Sequence, residues 1–225
     1  MIAAARALIA KDLRLERRVP QLTGAMSLFS LTTFVVFHFA LQRDRVDGSL
    51  AAGILVTTIV FAAVLGAGRL FVAEHEDGGF DGFLLAPVDR SAMLLGKAAV
   101  FCLFLVAVEL VALPAFALLL LDPPLTAGTV AAAAAMLLLA DAGIAVIGTL
   151  VGGLATRTRA RDLLVPLIAL PLLLPLVIGS AESLTAVFAA GGGDPLPGRW
   201  LVTMGLYDLV FALLAFALFD YLIED

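Results

Sequence analysis

AAVFCLFLVAVELVALPAFALLLLDPPLTAGTVAAAAAMLLLADAGIAVIGTLVGGLA, Ala98–Ala155, is an apolar run whose main break is DPP at Asp122–Pro124. A helix of about 20 apolar residues crosses a hydrocarbon layer about 30 Å thick, so the run is long enough for two passes. Two adjacent prolines behind an aspartate favour a tight turn over a continued helix. The stretch therefore predicts a hairpin of membrane helices, Ala98–Leu121 and Leu125–Ala155. Helices suit that medium because they satisfy their own backbone hydrogen bonds where water cannot.

Working outward, four more apolar runs have spanning length. They are Leu22–Leu41 (LTGAMSLFSLTTFVVFHFAL), Leu50–Gly68, Leu163–Ala181 and Leu201–Ile223. Of the 225 residues, 62% are hydrophobic and 15% charged, and the mean hydropathy is +1.10. A soluble domain carries about 25% charge. The fold class is an all-α integral membrane protein, with six transmembrane helices forming one membrane domain over 1–225. The first run follows Arg6, Lys11, Arg14, Arg17 and Arg18, as a signal peptide would, but it is too long and ends in HFALQRDR instead of small residues. It is expected to remain as a helix.

Basic residues set the expected orientation. With the N-terminus inside, eleven lysines and arginines fall on the inner side and three, Arg43, Arg45 and Arg199, on the outer side. The bias predicts both termini in the cytoplasm. The segment Glu74–Lys97, EHEDGGFDGFLLAPVDRSAMLLGK, then becomes a cytoplasmic loop. It mixes Phe80, Phe83, Leu84 and Leu85 with Glu74, Glu76, Asp77, Asp81 and Asp89. Such a mixture suits a short interfacial helix that docks a partner, with Gly78, Gly79 and Gly82 permitting close approach. A solvated reversal between two helices, its aromatic rings resting at the lipid interface, is the plainer reading. Before the first span, ARALIAKDLRLERR is compatible with a cytoplasmic amphipathic helix that groups Ala5, Ile9 and Leu13 on one face. Docking a soluble subunit and anchoring to the membrane both fit it.

Several functions are disfavoured. The net charge of −5 and the absence of a broad basic face argue against nucleic acid as a partner. Cys102 is the only cysteine, so there is no disulfide framework and no CxxC pair. No GxxxxGK[ST] sequence occurs, so any ATP used must be hydrolysed on another polypeptide. The chain is not expected to be an enzyme or to hold a metal. His38 and His75 fall on opposite sides of the membrane in this topology. Met26, Met93, Met136 and Met204 read as packing residues.

Charges inside spans carry more information, because a charge in lipid is costly and turns toward protein, a wet cavity or an interface. Glu109, Asp141 and Asp208 are the intramembrane functional candidates, with structural packing as the alternative for each. Three isolated carboxylates do not by themselves make a proton relay. Pro166, Pro171 and Pro175 are expected to bend the fifth span, and Gly148 and Gly152 form a close-packing GTLVG pattern.

The ordered segments AKDLRLERR (10–18), GRLFVAEHEDGGFDGFLLAPVDRSAMLLGK (68–97), VELVALP (108–114) and GTLVGGLATRTRARDLLVPLIALPLLLPLVI (148–178) together resemble the CcmB family, also called haem exporter protein B. The likeness runs from about Ala10 to the terminal LFDYLIED, and is most specific between Gly68 and Lys97 and around TRTRARDLLVP.

The resemblance implies a six-span permease subunit of an ABC transporter complex in cytochrome c-type biogenesis, in a bacterial cell inner membrane. It implies a CcmA-like ATPase that binds the ATP, CcmC-like and CcmD-like membrane partners, and a CcmE-like haem chaperone as a functional partner. Glu74, Glu76, Asp77, Gly78, Phe80 and Asp81 would fall in the element that meets the ATPase. Haem is the substrate the family name implies, either exported or released as haem-loaded chaperone, and no residue is carried over as a haem ligand. A non-transporting assembly scaffold is the alternative function.

Overall fold

The protein is described here by a computed structural model, which covers residues 2–41, 45–72, 91–122, 126–156, 158, 160–189 and 197–223; the side chains at 161, 162 and 220–223 lie outside that description. Among the described residues seven helices follow one another: α1 (Ile2–Arg18), α2 (Leu22–Ala40), α3 (Gly48–Arg69), α4 (Ser91–Leu119), α5 (Ala127–Ala155), α6 (Arg161–Val187) and α7 (Gly198–Ile223). Six of them, α2 to α7, contain stretches long and apolar enough to cross a membrane. The shortest, α2, has 19 residues, which at 1.5 Å per residue extends about 29 Å.

The core lies between α3 and α5. Helix α3 packs on α6, α2, α5 and α4, and α5 on α6, α7, α4 and α3. Small residues let these helices approach. A Cβ at Gly66 of α3 would sit 2.7 Å from Met26 Sδ and 2.8 Å from Phe101 Cε2. A Cβ at Gly152 of α5 would sit 2.8 Å from the backbone oxygen of Ala67. The GTLVG pair thus lies where α5 meets α3 and α4, and glycine is required there for backbone contact. At the rim, α7 exposes Val202, Leu206, Leu209, Val210 and Leu213, an apolar surface suited to lipid or a partner helix.

At one end of the bundle the chain crossings are tied by backbone. Val46 N–H donates to Leu120 O (2.7 Å), Asp122 N–H to Val46 O (2.9 Å) and Gly48 N–H to Phe188 O (2.8 Å). Gly48 adopts φ +51°, a left-handed turn that glycine enters at low cost. Arg45 donates to Leu121 O at 2.7 Å. Below this layer Phe34, Phe116 and Phe188 stack in sequence, with centroids 5.5 and 5.8 Å apart. Helix α5 begins with a capping box between Thr126 and Thr129, satisfying amide groups at its first turn.

Two span boundaries differ from expectation by more than a helical turn. Helix α4 starts at Ser91, not Ala98, because Ala92, Met93 and Leu94 are buried and Gly96 accepts Leu8 of α1 against its backbone. The last seven residues of the Glu74–Lys97 segment are therefore helix. Helix α6 continues past Ala181 to Val187, carrying buried Ser180, Ser183 and Leu184. It also remains one helix through Pro166, Pro171 and Pro175.

Candidate functional site

The end of the bundle opposite the Val46–Leu121 crossing carries a polar junction built on α1. The inward face of α1 uses Ala5, Leu8, Ile9, Asp12 and Glu16, spaced by three or four residues as one helical stripe requires. Asp12 is buried and receives Lys97 Nζ of α4 at 2.8 Å. The same ammonium donates to Leu70 O at 3.1 Å and stands 5.5 Å from the centre of the Phe71 ring. One lysine thereby links α1, α4 and the exit from α3. Lys11 Nζ lies 3.5 Å from the other oxygen of Asp12 and is half exposed.

Glu16 performs a second linking task. Its Oε1 accepts from Leu22 N–H (3.0 Å), Thr23 N–H (2.7 Å) and Thr23 Oγ1 (2.7 Å). It caps the start of α2, where the first amides have no intrahelical acceptor, and a carboxylate also complements the helix dipole. Sequence reasoning grouped Ala5, Ile9 and Leu13 and passed over Asp12 and Glu16. The available signal was their four-residue spacing, continuous with Leu8 and turned away from Arg14, Arg17 and Arg18. Helix α1 is fastened by charged side chains to the bundle, and both neighbours of the 73–90 segment, the end of α3 and the start of α4, meet at this junction. The coupling candidates Glu74, Glu76, Asp77, Gly78, Phe80 and Asp81 themselves lie outside the described residues.

The three intramembrane carboxylates separate into two places. Glu109 and Asp141 are 5% and 0% exposed, and both lie where antiparallel α4 and α5 pack. Their register follows from Gly148, whose Cβ would sit 2.6 Å from Phe101 Cε1. Eight residues along α4 from Phe101 and seven back along α5 from Gly148 are both about 11–12 Å. Glu109 and Asp141 therefore share one level of the α4–α5 contact. Glu109 Oε1 and both Asp141 carboxyl oxygens have no hydrogen-bond partner among the described residues.

Asp208 belongs to the other side of α5. Its carboxylate occupies the notch at Gly143, where an added Cβ would collide with Asp208 Oδ1 and Leu176 Cδ1. Positions 141 and 143 are 200° apart on a helix wheel, about opposite faces. Both Asp208 carboxyl oxygens are buried without a described partner. Its neighbour Tyr207 donates its hydroxyl to Leu172 O at 2.6 Å, pinning α7 to α6. Buried polar groups are normally paired, so these two carboxyl sites are places where this chain leaves a bonding capacity open.

At the far end, His38 Nδ1 lies 2.7 Å from Leu119 O. A carbonyl can only accept, so Nδ1 carries the proton and this side of the ring is committed to α4. Among the described residues no group of three or more His, Cys, Asp or Glu is arranged to hold a metal ion. A cleft of about 400 Å³ opens between α2, α3 and α6, lined by Phe29, Phe61, Leu65, Arg69, Val165 and Pro166 among others.

The family model described as "CcmB protein" matches residues 3–222. Heme exporter protein B of Rhodobacter capsulatus is 32% identical over 178 residues, covering 79% of this chain and 80% of that protein. The protein of the same name from Bradyrhizobium diazoefficiens is 29% identical over 210 residues, covering 93% of each chain. That from Pseudomonas aeruginosa is 27% identical over 213 residues, covering 94% of this chain and 92% of its own. Six helices of spanning length, matched nearly end to end by one family, place this chain in the CcmB protein family.

Proposed function

We propose that this chain is the permease subunit of an ABC transporter complex for cytochrome c biogenesis, coupling ATP hydrolysis on a partner subunit to haem export or to release of a haem-loaded chaperone. The observation that carries the reading is the family match across 3–222, joined by relatives named heme exporter protein B. The chain has no GxxxxGK[ST] sequence, which fits a permease driven by a CcmA-like ATPase. CcmC-like and CcmD-like proteins are the proposed membrane partners, and a CcmE-like chaperone is the functional one. The proposed setting is the bacterial inner membrane with both termini cytoplasmic, supported by the excess of basic residues at the α1 end.

In this reading the coupling element is the acidic, glycine-containing segment Glu74–Asp81. Nucleotide binding and release on the ATPase would displace it, and the displacement enters the bundle through the ends of α3 and α4. The Lys97 junction supports that route because Asp12, Leu70 O and Lys97 join α1, α3 and α4 in one buried contact. Packed contacts of this kind move elements together instead of absorbing strain.

The test uses purified complexes with the ATPase, CcmC-like and CcmD-like subunits and the haem-loaded chaperone. Glu74→Gln, Glu76→Gln and Asp77→Asn are introduced singly and together, and complex retention and nucleotide-dependent chaperone release are measured. Loss of release with assembly intact assigns coupling to the cluster; loss of assembly assigns docking. Parental levels of both in the triple variant would remove the cluster from the mechanism. An ATPase that fails to join the wild-type chain would overturn the permease reading itself.

A further inference from the structure

Among the described residues the spanning helices place no lysine, arginine or histidine opposite the Glu109–Asp141 pair, and on α2 His38 is committed to Leu119 O at the end of α4. Helix α4 carries no basic residue after Lys97, α5 carries none, and α3 none before Arg69. On α6 the titratable group with a described side chain is Glu182, which is exposed and lies toward the Val46–Leu121 end of the bundle. On α7, Asp208 and Tyr207 meet α5 and α6 at Gly143 and Leu172, on the far face of α5. Cys102, two turns before Glu109 on α4, is a partly buried free thiol and carries no positive charge to offer. Two carboxyl groups level with each other, more than nine-tenths buried, with three oxygens unsatisfied among the described residues, form an acceptor site with no donor supplied by the helices around it. An uncompensated charge in such surroundings is strongly unfavourable, and a second like charge beside it more so. A single mobile positive charge cancels one of the two negative charges and removes the repulsion between them, leaving one negative charge shared by both groups around the bound cation.

We infer that Glu109 and Asp141 together form an intramembrane site for one monovalent cation, either a proton or an alkali-metal ion, held between α4 and α5. The two occupants share the chemistry of a unit positive charge accepted by carboxyl oxygens, and they differ in how they are displaced. The site lies away from the Lys97 junction along α4, and it does not depend on which ATPase or chaperone the chain meets. Its occupancy would set how closely α4 and α5 can pack at this level, because emptying it restores repulsion across a helix contact made tight by Phe101 on Gly148.

The experiment uses the full chain purified in lipid nanodiscs. Thermal unfolding is followed while pH, Na⁺ and K⁺ are varied separately, in wild type and in Glu109→Gln, Asp141→Asn and the double variant. A wild-type melting temperature that depends on pH alone, with the dependence lost in the double variant, identifies a proton; dependence on Na⁺ or K⁺, lost in the same variant, identifies an alkali-metal ion. Identical pH and salt responses in wild type and double variant would overturn the site. If the variants do not fold, wild type is treated with a hydrophobic carbodiimide. That reagent adds across a protonated carboxyl to give an O-acylisourea, which rearranges to a stable N-acylurea without loss of atoms. Labelling of Glu109 or Asp141 that falls as pH or alkali-ion concentration rises supports the site. Absence of label at both residues at every pH, without alkali ions, counts against it.

Discussion

Replacing Lys97 by methionine should release α1 from the bundle. The substitution keeps most of the unbranched side chain and removes the charge that pairs with Asp12 at 2.8 Å and donates to Leu70 O at 3.1 Å. Removing one partner of a buried ion pair costs about 3–5 kcal/mol, because the other charge stays buried and unpaired. Here Lys11 stands 3.5 Å from Asp12 and is half exposed, and a screened pair of that kind recovers up to about 1 kcal/mol. The net loss works out at about 2–4 kcal/mol. It should fall on the attachment of α1, which meets the bundle chiefly through α4, and leave the spanning core folded. Hydrogen exchange on the purified protein reads this directly: amides of α1 should exchange about 30- to 700-fold faster, at about 1.4 kcal/mol per tenfold. Amides of α3 and α5 should change little. Replacing Asp12 by leucine in the same chain removes the stranded carboxylate, and apolar replacement of a whole buried pair is often near neutral. The double variant should therefore exchange more slowly than Lys97→Met alone. An increase below about threefold in the single variant, or a double variant as fast as the single one, would refute the reasoning.

Glu16→Ala should destabilise the start of α2 by about 0.5–2 kcal/mol, the usual range for a lost N-terminal cap. Glu16→Gln, which retains an acceptor oxygen, should cost less; exchange rates at Leu22 and Thr23 test both. Gly152→Ala drives a methyl group to within 2.8 Å of the Ala67 backbone oxygen and should lower stability by about 1–3 kcal/mol, as overpacking does. Gly53→Ala on α3, with nothing within 4 Å of the new Cβ, should be within about 0.5 kcal/mol of parental; thermal unfolding of the pair provides the contrast. Glu109→Gln and Asp208→Asn should impair nucleotide-dependent chaperone release while leaving assembly of the complex near parental, and normal release in both would argue for a structural role. In a Cys102-free background, single cysteines near Thr158 should label from the cytoplasm and near Gly193 from outside; the reverse pattern would overturn the proposed orientation.

Hydropathy by itself determined the spanning helices, because a bilayer demands a contiguous apolar stretch of fixed minimum length and that demand is visible residue by residue. The hairpin around Asp122–Pro124, the six spans and the family resemblance are all properties of this kind, local or ordered along the chain. The buried carboxyls were conspicuous for the same reason, as Glu109, Asp141 and Asp208 interrupt apolar runs. Their grouping was not legible, because it depends on how helices are rotated and set against one another: Phe101 on Gly148 brings Glu109 level with Asp141, whereas the notch at Gly143 takes Asp208 to the other face of α5. The role of α1 was hidden in the same way. Lys97 read as the end of a loop and Asp12 was passed over, since nothing within either local sequence says that residues 85 positions apart will meet. Tertiary packing decided that, when burial of Ala92, Met93 and Leu94 extended α4 to Ser91 and carried its lysine into contact with the acidic face of α1.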